Sequence, residues 1–279
     1  MARLLVAGLA VLDYVHHVDA LPEGGAKFRS HAFERIGGGC GASAAVGAAR
    51  LGGDVTLLTR LGDDGAGEEL AAMLEGRVRL VAARGGRQPL SSIMIDAAGE
   101  RMIVNYPGDA LPETVPPLPP FDALLTDCRW ETAAEAALRE AKARGLLAVI
   151  DGERFVPEAL ARLATHVVFS APGLRDFAGC DDLRDALDAA AARLPGRVAY
   201  TDGPDGVRWH GGPHVPAPEV RAVDTLGAGD LWHGAFALAL ARGEGLAGAS
   251  AFANRAAALK CTRRGGWDHW PTAREMGAP

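Results

Sequence analysis

Short apolar runs alternate with alanine-rich segments along most of this 279-residue chain, and that rhythm restricts the fold more than any other feature. The apolar runs are predicted strands: Leu4–Gly8, Val55–Thr59, Ala123–Thr126, Leu146–Ile150, Val167–Phe169 and Val198–Thr201. The segments predicted to be helical are 42–52, 65–75, 131–144, 181–194, Asp230–Arg242 and Leu246–Lys260. Strands that alternate with helices indicate an α/β fold, with a mostly parallel central sheet flanked by helices.

Two regions, at about 14–36 and 91–105, break the rhythm with shorter and more polar strand patterns. In the second region, Ser91–Asp96 and Arg101–Asn105 flank a turn at 97–100, and Gly99 suits a hairpin there. We therefore predict one α/β domain over residues 1–279 with a small inserted β appendage. Its position suits a lid over a binding site.

Composition excludes several classes of protein. Hydrophobic residues make up 48% of the chain, enough for a large core, and the net charge of −6 disfavours a nucleic-acid binder. Cys40, Cys128, Cys180 and Cys261 are scattered, which is typical of reduced cytosolic thiols. The sequence shows neither a signal peptide nor a bilayer-spanning apolar run. We expect a soluble cytoplasmic protein without membrane or nucleic-acid partners.

The run Asp224-Thr225-Leu226-Gly227-Ala228-Gly229-Asp230 carries the strongest chemical signal. Two glycines around a small residue allow a tight turn, and the helix that follows adds unpaired N–H groups and its positive dipole end. Such a turn suits phosphoryl oxygens, and a carboxylate at position 230 is placed to accept a proton from an attacking hydroxyl. The alternative is that Asp230 only caps the helix.

This string resembles the C-terminal signature of the PfkB or ribokinase family of carbohydrate kinases. The N-terminal signature is similar at Gly37–Ala45, Ala48–Gly52 and Arg60–Gly67, and the resemblance extends from residue 4 to residue 267. It implies a ribokinase-like fold and an ATP-dependent kinase. It also implies that Asp230 is the catalytic base and that the backbone of Gly227, Ala228 and Gly229 is the anion hole.

The same resemblance implies where the nucleotide binds. The residues expected on that side are Thr201, Gly203, Gly206, Thr225, Gly227, Asn254 and Ala257. ATP is the expected cosubstrate, with Mg²⁺ as its counter-ion. Two departures stand out: the family often has Asn where this chain has Ser43, and Asn-x-x-Glu where it has Ser170–Gly173. The latter motif helps arrange Mg²⁺, so the metal ligands stay unassigned.

Substrate residues follow from the resemblance as well. Asp13 matches a family aspartate that binds sugar hydroxyls, and Gly38 and Gly39 match backbone that packs on the sugar. The segments around Lys27, Asn105 and Arg129 are similar to those of 6-deoxy-6-sulfofructose kinases, in which these positions bind a sulfonate. Two cations and an amide suit an anion with three acceptor oxygens.

The sequence therefore predicts transfer of the ATP γ-phosphoryl group to the C1 hydroxyl of 6-deoxy-6-sulfofructose. Two alternatives remain open: a kinase of another ketose, sugar acid or nucleoside, and a non-catalytic nucleotide or sugar sensor. A Walker A motif and a G-x-G-x-x-G fingerprint are both missing from the sequence. Members of the family often pair through the lid strands, so we also expect a homodimer.

Overall fold

Two β-sheets organise the protein. The computed structural model describes residues 2–153 and 155–277. Its larger sheet has nine strands in the order β13-β12-β11-β10-β9-β8-β1-β4-β5. The strands are β1 Arg3–Ala7, β4 Asp54–Leu61, β5 Arg79–Arg84, β8 Ala123–Thr126, β9 Leu147–Gly152, β10 His166–Ser170, β11 Arg197–Thr201, β12 Val207–Trp209 and β13 His214–Val215. Seven adjacent strands of this sheet are parallel: β11, β10, β9, β8, β1, β4 and β5. Strands β12 and β13 continue the sheet in antiparallel pairing.

Helices cover both faces of this sheet. They are α1 Cys40–Arg50, α2 Gly65–Leu74, α3 Glu131–Ala143, α4 Glu158–Ala161, α5 Ala171–Ala178, α6 Leu183–Arg193, α7 Ala228–Ala241 and α8 Leu246–Cys261. One core cluster contains apolar side chains of α1, α7 and α8, and the other contains those of α3, α5 and α6. The ribokinase-like α/β class predicted from the sequence is confirmed.

Glycine lets helices α1 and α7 pack closely in the first core cluster. A methyl group on Gly234 of α7 would lie 2.2 Å from the carbonyl oxygen of Ala44, and one on Gly47 would meet Leu231. Larger side chains here would push α7 away from α1. The small residues of these helices therefore fix where the first turn of α7 lies.

The smaller sheet has four strands in the order β3-β2-β6-β7. They are β2 Val11–His17, β3 Ala32–Gly38, β6 Leu90–Ile95 and β7 Arg101–Tyr106. These strands extend slightly beyond the predicted segments of 14–36 and 91–105 because apolar residues such as Val11 and Leu12 continue the pairing. We call this sheet the lid sheet.

No helix within the described residues is long and apolar enough to cross a membrane.

Candidate active site

The first turn of α7 begins at Gly227, whose backbone is left-handed with a φ of 75°. A methyl group there would also lie 2.7 Å from the indole ring of Trp270, so glycine is required twice over. The amide of Ala228 donates to the carbonyl oxygen of Thr225, which closes the turn. Within the described chain, the amides of Gly229 and Asp230 have no protein acceptor. This leaves two donors at the positive end of a 14-residue helix for an anion.

That turn opens into a cavity of about 660 Å³ between the two sheets. The cavity brings together most residues predicted to act on the sugar or the phosphoryl group: Asp13, Gly38, Gly39, Asn105, Arg129, Thr201, Thr225, Gly227, Gly229 and Asp230. It lies beside the carboxyl ends of β1, β9, β10 and β11, where ligands bind in open α/β sheets.

Acidic groups surround Asp230. The carboxyl groups of Asp151 and Glu153, at and just after the end of β9, face the same cavity. Burial raises the pKa of Asp230 to about 8, and the charges of Asp151 and Glu153 add to the rise. Burial also raises the pKa of Asp151 well above its ordinary value. Asp230 is thus poised to take and release a proton near neutral pH.

His233 ties this part of α7 to the sheet. Its Nδ1 lies 2.9 Å from the carbonyl oxygen of Gly229 and 3.4 Å from Oδ2 of Asp151, and its Nε2 lies 3.1 Å from the carbonyl oxygen of Val168. The ring is buried, so these contacts fix the first turn of α7 against strands β9 and β10.

Asp13 reaches the cavity from the lid sheet. The register aligns Asp13 of β2 with Ser91 of β6 and Asn105 of β7, so the three side chains lie in one row on the cavity side. Burial raises the pKa of Asp13 to about 6, opposed by a hydrogen bond with Ser91. A methyl group on Gly38 would lie 2.0 Å from the Asp13 carboxylate, so glycine at 38 makes room for that carboxylate.

The two predicted cations of the sulfonate site are not equivalent in the structure. Arg129 lines the cavity, and its Nη2 donates to Oε2 of Glu153 over 2.8 Å. One carboxylate oxygen leaves other guanidinium donors of Arg129 available. Lys27, by contrast, is exposed in the loop between β2 and β3 and is not among the described residues that line the cavity. The structure therefore brings Asn105 and Arg129 together and leaves Lys27 apart.

Of the residues predicted to bind the nucleotide, some line the cavity and others lie outside it. Thr201 and Thr225 line the cavity, whereas Gly203 and Gly206 form the turn after β11. Asn254 is buried, and its amide is fully occupied: Oδ1 accepts from the indole of Trp232, and Nδ2 donates to the carbonyl oxygens of Val215 and Pro216. Asn254 thus holds α8 against β13, and Ala257, on the same helix, is half-buried.

One group of side chains could hold a metal ion. Cys40, Asp151 and Asp230 each offer one ligand atom, and the three atoms lie within 4.8 Å of one another. Mg²⁺ prefers oxygen and is usually held by one or two carboxylates together with substrate phosphates. The carboxylates of Asp151 and Asp230 fit that requirement, and the thiol of Cys40 does not.

Several cavity residues were missed by the sequence analysis: Arg60, Arg101, Asp151, Glu153, His233, Trp267 and Trp270. Asp151 and Glu153 could have been found, because they follow a predicted strand at the edge where ligands bind. Trp267 comes from a short 3₁₀ helix far along the chain, and its indole donates to the hydroxyl of Ser43. That contact gives Ser43, one of the two departures from the family pattern, a structural role.

Comparison with known proteins places the chain in a family. The sequence model of the pfkB family carbohydrate kinases matches residues 1–273. The ribokinase of Bacillus subtilis (strain 168) is 27% identical over 99% of this chain and 98% of its own length. The ATP-dependent ribose-1-phosphate kinase of Halopiger xanaduensis is 32% identical over 95% and 94%. A crystal structure from Agrobacterium tumefaciens superposes with a TM-score of 0.92 at 36% identity, covering 99% of this chain and 96% of that one.

The fold and the cavity define a phosphotransferase of the ribokinase-like class. The chain belongs to the pfkB family of carbohydrate kinases. It is an ATP-dependent kinase of a sugar or nucleoside and uses ATP with Mg²⁺.

Proposed function

We propose that this kinase phosphorylates a primary hydroxyl of a small sugar whose other end carries an anionic group, and that the C1 hydroxyl of 6-deoxy-6-sulfofructose is the first candidate. The observation that carries the proposal is the position of Arg129 and Asn105 in the same cavity as Asp13 and Asp230. The same cavity contains the turn proposed to bind phosphoryl oxygens and a guanidinium and an amide that suit a second anion. A ribose-1-phosphate kinase among the relatives, named for an anionic sugar, supports this class.

In the proposed reaction, Asp13 accepts hydrogen bonds from sugar hydroxyls and orients the ring, while Asp230 takes the proton of the attacking hydroxyl. Asp230 and the phosphoryl-binding amide of Gly229 belong to the same helical turn. Negative charge that develops on the transferring group is stabilised by that amide, by its neighbour at 230 and by the helix dipole. Asp151 and Asp230 would hold Mg²⁺, which would supply positive charge to offset the negative charge of the ATP phosphates.

Arg129 and Asn105 select the anion in this proposal, and Lys27 has a smaller part than the sequence predicts. Arg101, which also lines the cavity, has no ion-pair partner within the described residues. Its guanidinium is therefore a further cation available to an anionic substrate. Lys27 can contribute only if the exposed loop between β2 and β3 moves inward as the lid sheet closes.

An Arg129→Ala variant tests the anion site. We expect its kcat/KM to fall about 100-fold for the sulfonated sugar, since a charge-assisted contact with the sulfonate is lost, and to change little for fructose. Lys27→Ala is the matched comparison and should change both values far less. Equal losses on the two sugars in Arg129→Ala would refute selection of an anion by this residue.

We also propose a homodimer that pairs through the lid sheets, in the cytoplasm. Phe33, Met102 and Val104 lie on the lid face opposite the cavity and are 50%, 37% and 61% exposed. An exposed apolar sheet face is typical of an interaction surface. The four free cysteines are compatible with a reducing compartment.

A further inference from the structure

Lys260, in the last turn of α8, is the most deeply buried cation among the described residues. Its side chain is 1% exposed, although an ammonium group is among the most strongly hydrated groups in proteins. Its Nζ donates to Oδ2 and to the backbone carbonyl oxygen of Asp224, each over 3.0 Å. Both acceptors belong to one residue, and that residue begins the turn that leads into α7.

The other polar atoms of this turn are also held in place. Oδ1 of Asp224 accepts from the amide of Leu226 over 2.8 Å. The amides of Val223 and Asp224 both donate to the carbonyl oxygen of Cys261, the neighbour of Lys260. The end of α8 is therefore bound to the start of the turn by both backbone and side-chain hydrogen bonds.

The turn between Asp224 and Gly227 determines where the two phosphoryl-binding amides point. Thr225 accepts from Ala228 and closes the turn, and Gly227 begins α7 in a left-handed conformation. A buried ion pair adds little net stability compared with apolar residues of the same shape. Stability alone is thus a weak reason to bury an ammonium group immediately behind this turn.

We propose that Lys260 is a positioning residue for phosphoryl transfer: its ammonium is a built-in cation that sets the conformation of the Asp224–Gly227 turn and thereby the direction of the Gly229 and Asp230 amides. Lys260 does not line the cavity, so it acts through the turn and not by contact with the substrate. The inference rests on the proposed role of these amides in binding the transferring group.

The test is chemical rescue of a Lys260→Ala variant. This substitution removes the ammonium and leaves a cavity as long as the missing part of the lysine side chain. We expect kcat to fall about 100-fold with KM for the sugar little changed, because a small misplacement of catalytic donors is enough for such a loss. n-Propylammonium ions should restore kcat saturably, whereas tetramethylammonium at the same ionic strength should not. Amide hydrogen exchange across 223–229 should be faster in the variant and slow again with the amine.

The matched control is Arg263→Met, which breaks the ion pair of Arg263 with Glu275 at the same end of α8 without touching the turn. It should keep the parent kcat. An unchanged kcat in Lys260→Ala would overturn the proposal. A loss that propylammonium does not recover, with hydrogen exchange across 223–229 unchanged, would overturn it too.

A second variant covers the case in which Lys260→Ala does not fold. Asp224→Asn with Lys260→Met removes both charges and keeps the volume, so it should fold and still show the loss of kcat. Parent-like turnover in that double variant would contradict the proposal. Each assay uses the sugar that the wild-type protein turns over best, so a wrong sulfonate assignment appears in the wild-type substrate profile and leaves this comparison intact.

Discussion

At the scale of single residues, the buried and acidic environment of Asp230 suits a general base but lowers the stability of the folded protein. Its carboxyl group is placed among Asp151 and Glu153, and burial holds its pKa at about 8. In the unfolded chain the pKa of an aspartate is near its ordinary value of 3.8. Between about pH 4 and about pH 8, Asp230 is ionised in the unfolded chain and still protonated in the folded protein. The stability of the folded protein therefore falls as the pH rises through this range.

An Asp230→Asn variant should be more stable and nearly inactive. Without ATP and Mg²⁺, its melting temperature at pH 8 should exceed that of the wild type by at least about 3 °C, which corresponds to about 1 kcal/mol in a chain of this size. The difference should vanish near pH 4, where both side chains are neutral. Turnover should fall by about 10²–10⁴, the usual contribution of a general base. Wild-type turnover in Asp230→Asn would show that Asp230 is not the catalytic base.

The pH dependence of turnover offers a second check on the same residue. A base acts only when deprotonated, so kcat/KM measured at low concentrations of both substrates should fall as the pH drops below about 8. The value is the one expected for Asp230 in the free enzyme. The limb should be absent from the residual activity of Asp230→Asn. A profile that is flat between pH 6 and about 8 would show that another group takes the proton.

The family resemblance predicted Asp13 and Asp230 as site residues, and the fold places both at the cavity. It did not predict Asp151, Glu153 or His233, whose role depends on where β9 and α7 meet in space. Lys27 was predicted from local similarity alone, and its backbone lies in an exposed loop with no anchor to the cavity. Matching letters identify a position in the chain, whereas packing decides where the side chain points.

At the scale of secondary-structure elements, the two glycines in the first turn of α7 differ in whether the fold itself requires glycine. Gly227 has a positive φ and lies against Trp270, so a side chain there disturbs the fold. A methyl group on Gly229 would meet no atom within 4 Å. The fold therefore tolerates a methyl group at 229, and a need for glycine there would come from the proposed phosphoryl ligand.

The variants Gly229→Ala and Gly227→Ala should have opposite effects. Gly229→Ala should melt at or slightly above the wild-type temperature, and its kcat should fall about 100-fold because the methyl group crowds the transferring phosphoryl group. Gly227→Ala should be destabilised by about 1–3 kcal/mol. Chemical denaturation together with steady-state kinetics distinguishes the two. Normal turnover in Gly229→Ala would place the phosphoryl group elsewhere.

Most regular elements of the large sheet were predictable because their apolar runs and alanine-rich helices are long and periodic, but strand β5 was not among the predicted strands. Helix α5 was missed because its first turn contains Pro172 and Gly173, both poor helix formers inside a helix but acceptable at its start. Strands β12 and β13 were missed because they are only three and two residues long. Their pairing comes from the neighbouring β11 and not from their own sequence.

At the scale of the whole molecule, the site exists only where two sheets meet. The large sheet and helix α7, which packs on it, position the proposed phosphoryl-binding turn and the acidic residues, and the lid sheet supplies Asp13 and Asn105. The face of the lid sheet opposite the cavity exposes Phe33, Met102 and Val104, and its edge strand β7 is exposed along its whole length. A partner on that face would hold the lid sheet in place above the cavity.

A Val104→Asp variant tests the dimer. A charge in the middle of the exposed face should give a monomer by size-exclusion chromatography with light scattering, because a buried unpaired carboxylate is strongly disfavoured. Val220→Asp, at an exposed apolar position outside the lid sheet, is the control and should leave the mass unchanged. A wild-type protein that is already monomeric at micromolar concentration would contradict a dimer through the lid sheets.

The central claim, a kinase specific for an anionic sugar, is tested most directly by ATP-dependent ADP release with a panel of acceptors. The panel comprises 6-deoxy-6-sulfofructose, fructose 6-phosphate, fructose and ribose, each at limiting concentration. The account predicts the highest kcat/KM for 6-deoxy-6-sulfofructose and phosphate on its C1 oxygen in the product. Equal or better turnover of fructose or ribose would contradict an anion-selective site, and equal or better turnover of fructose 6-phosphate would contradict the sulfonate.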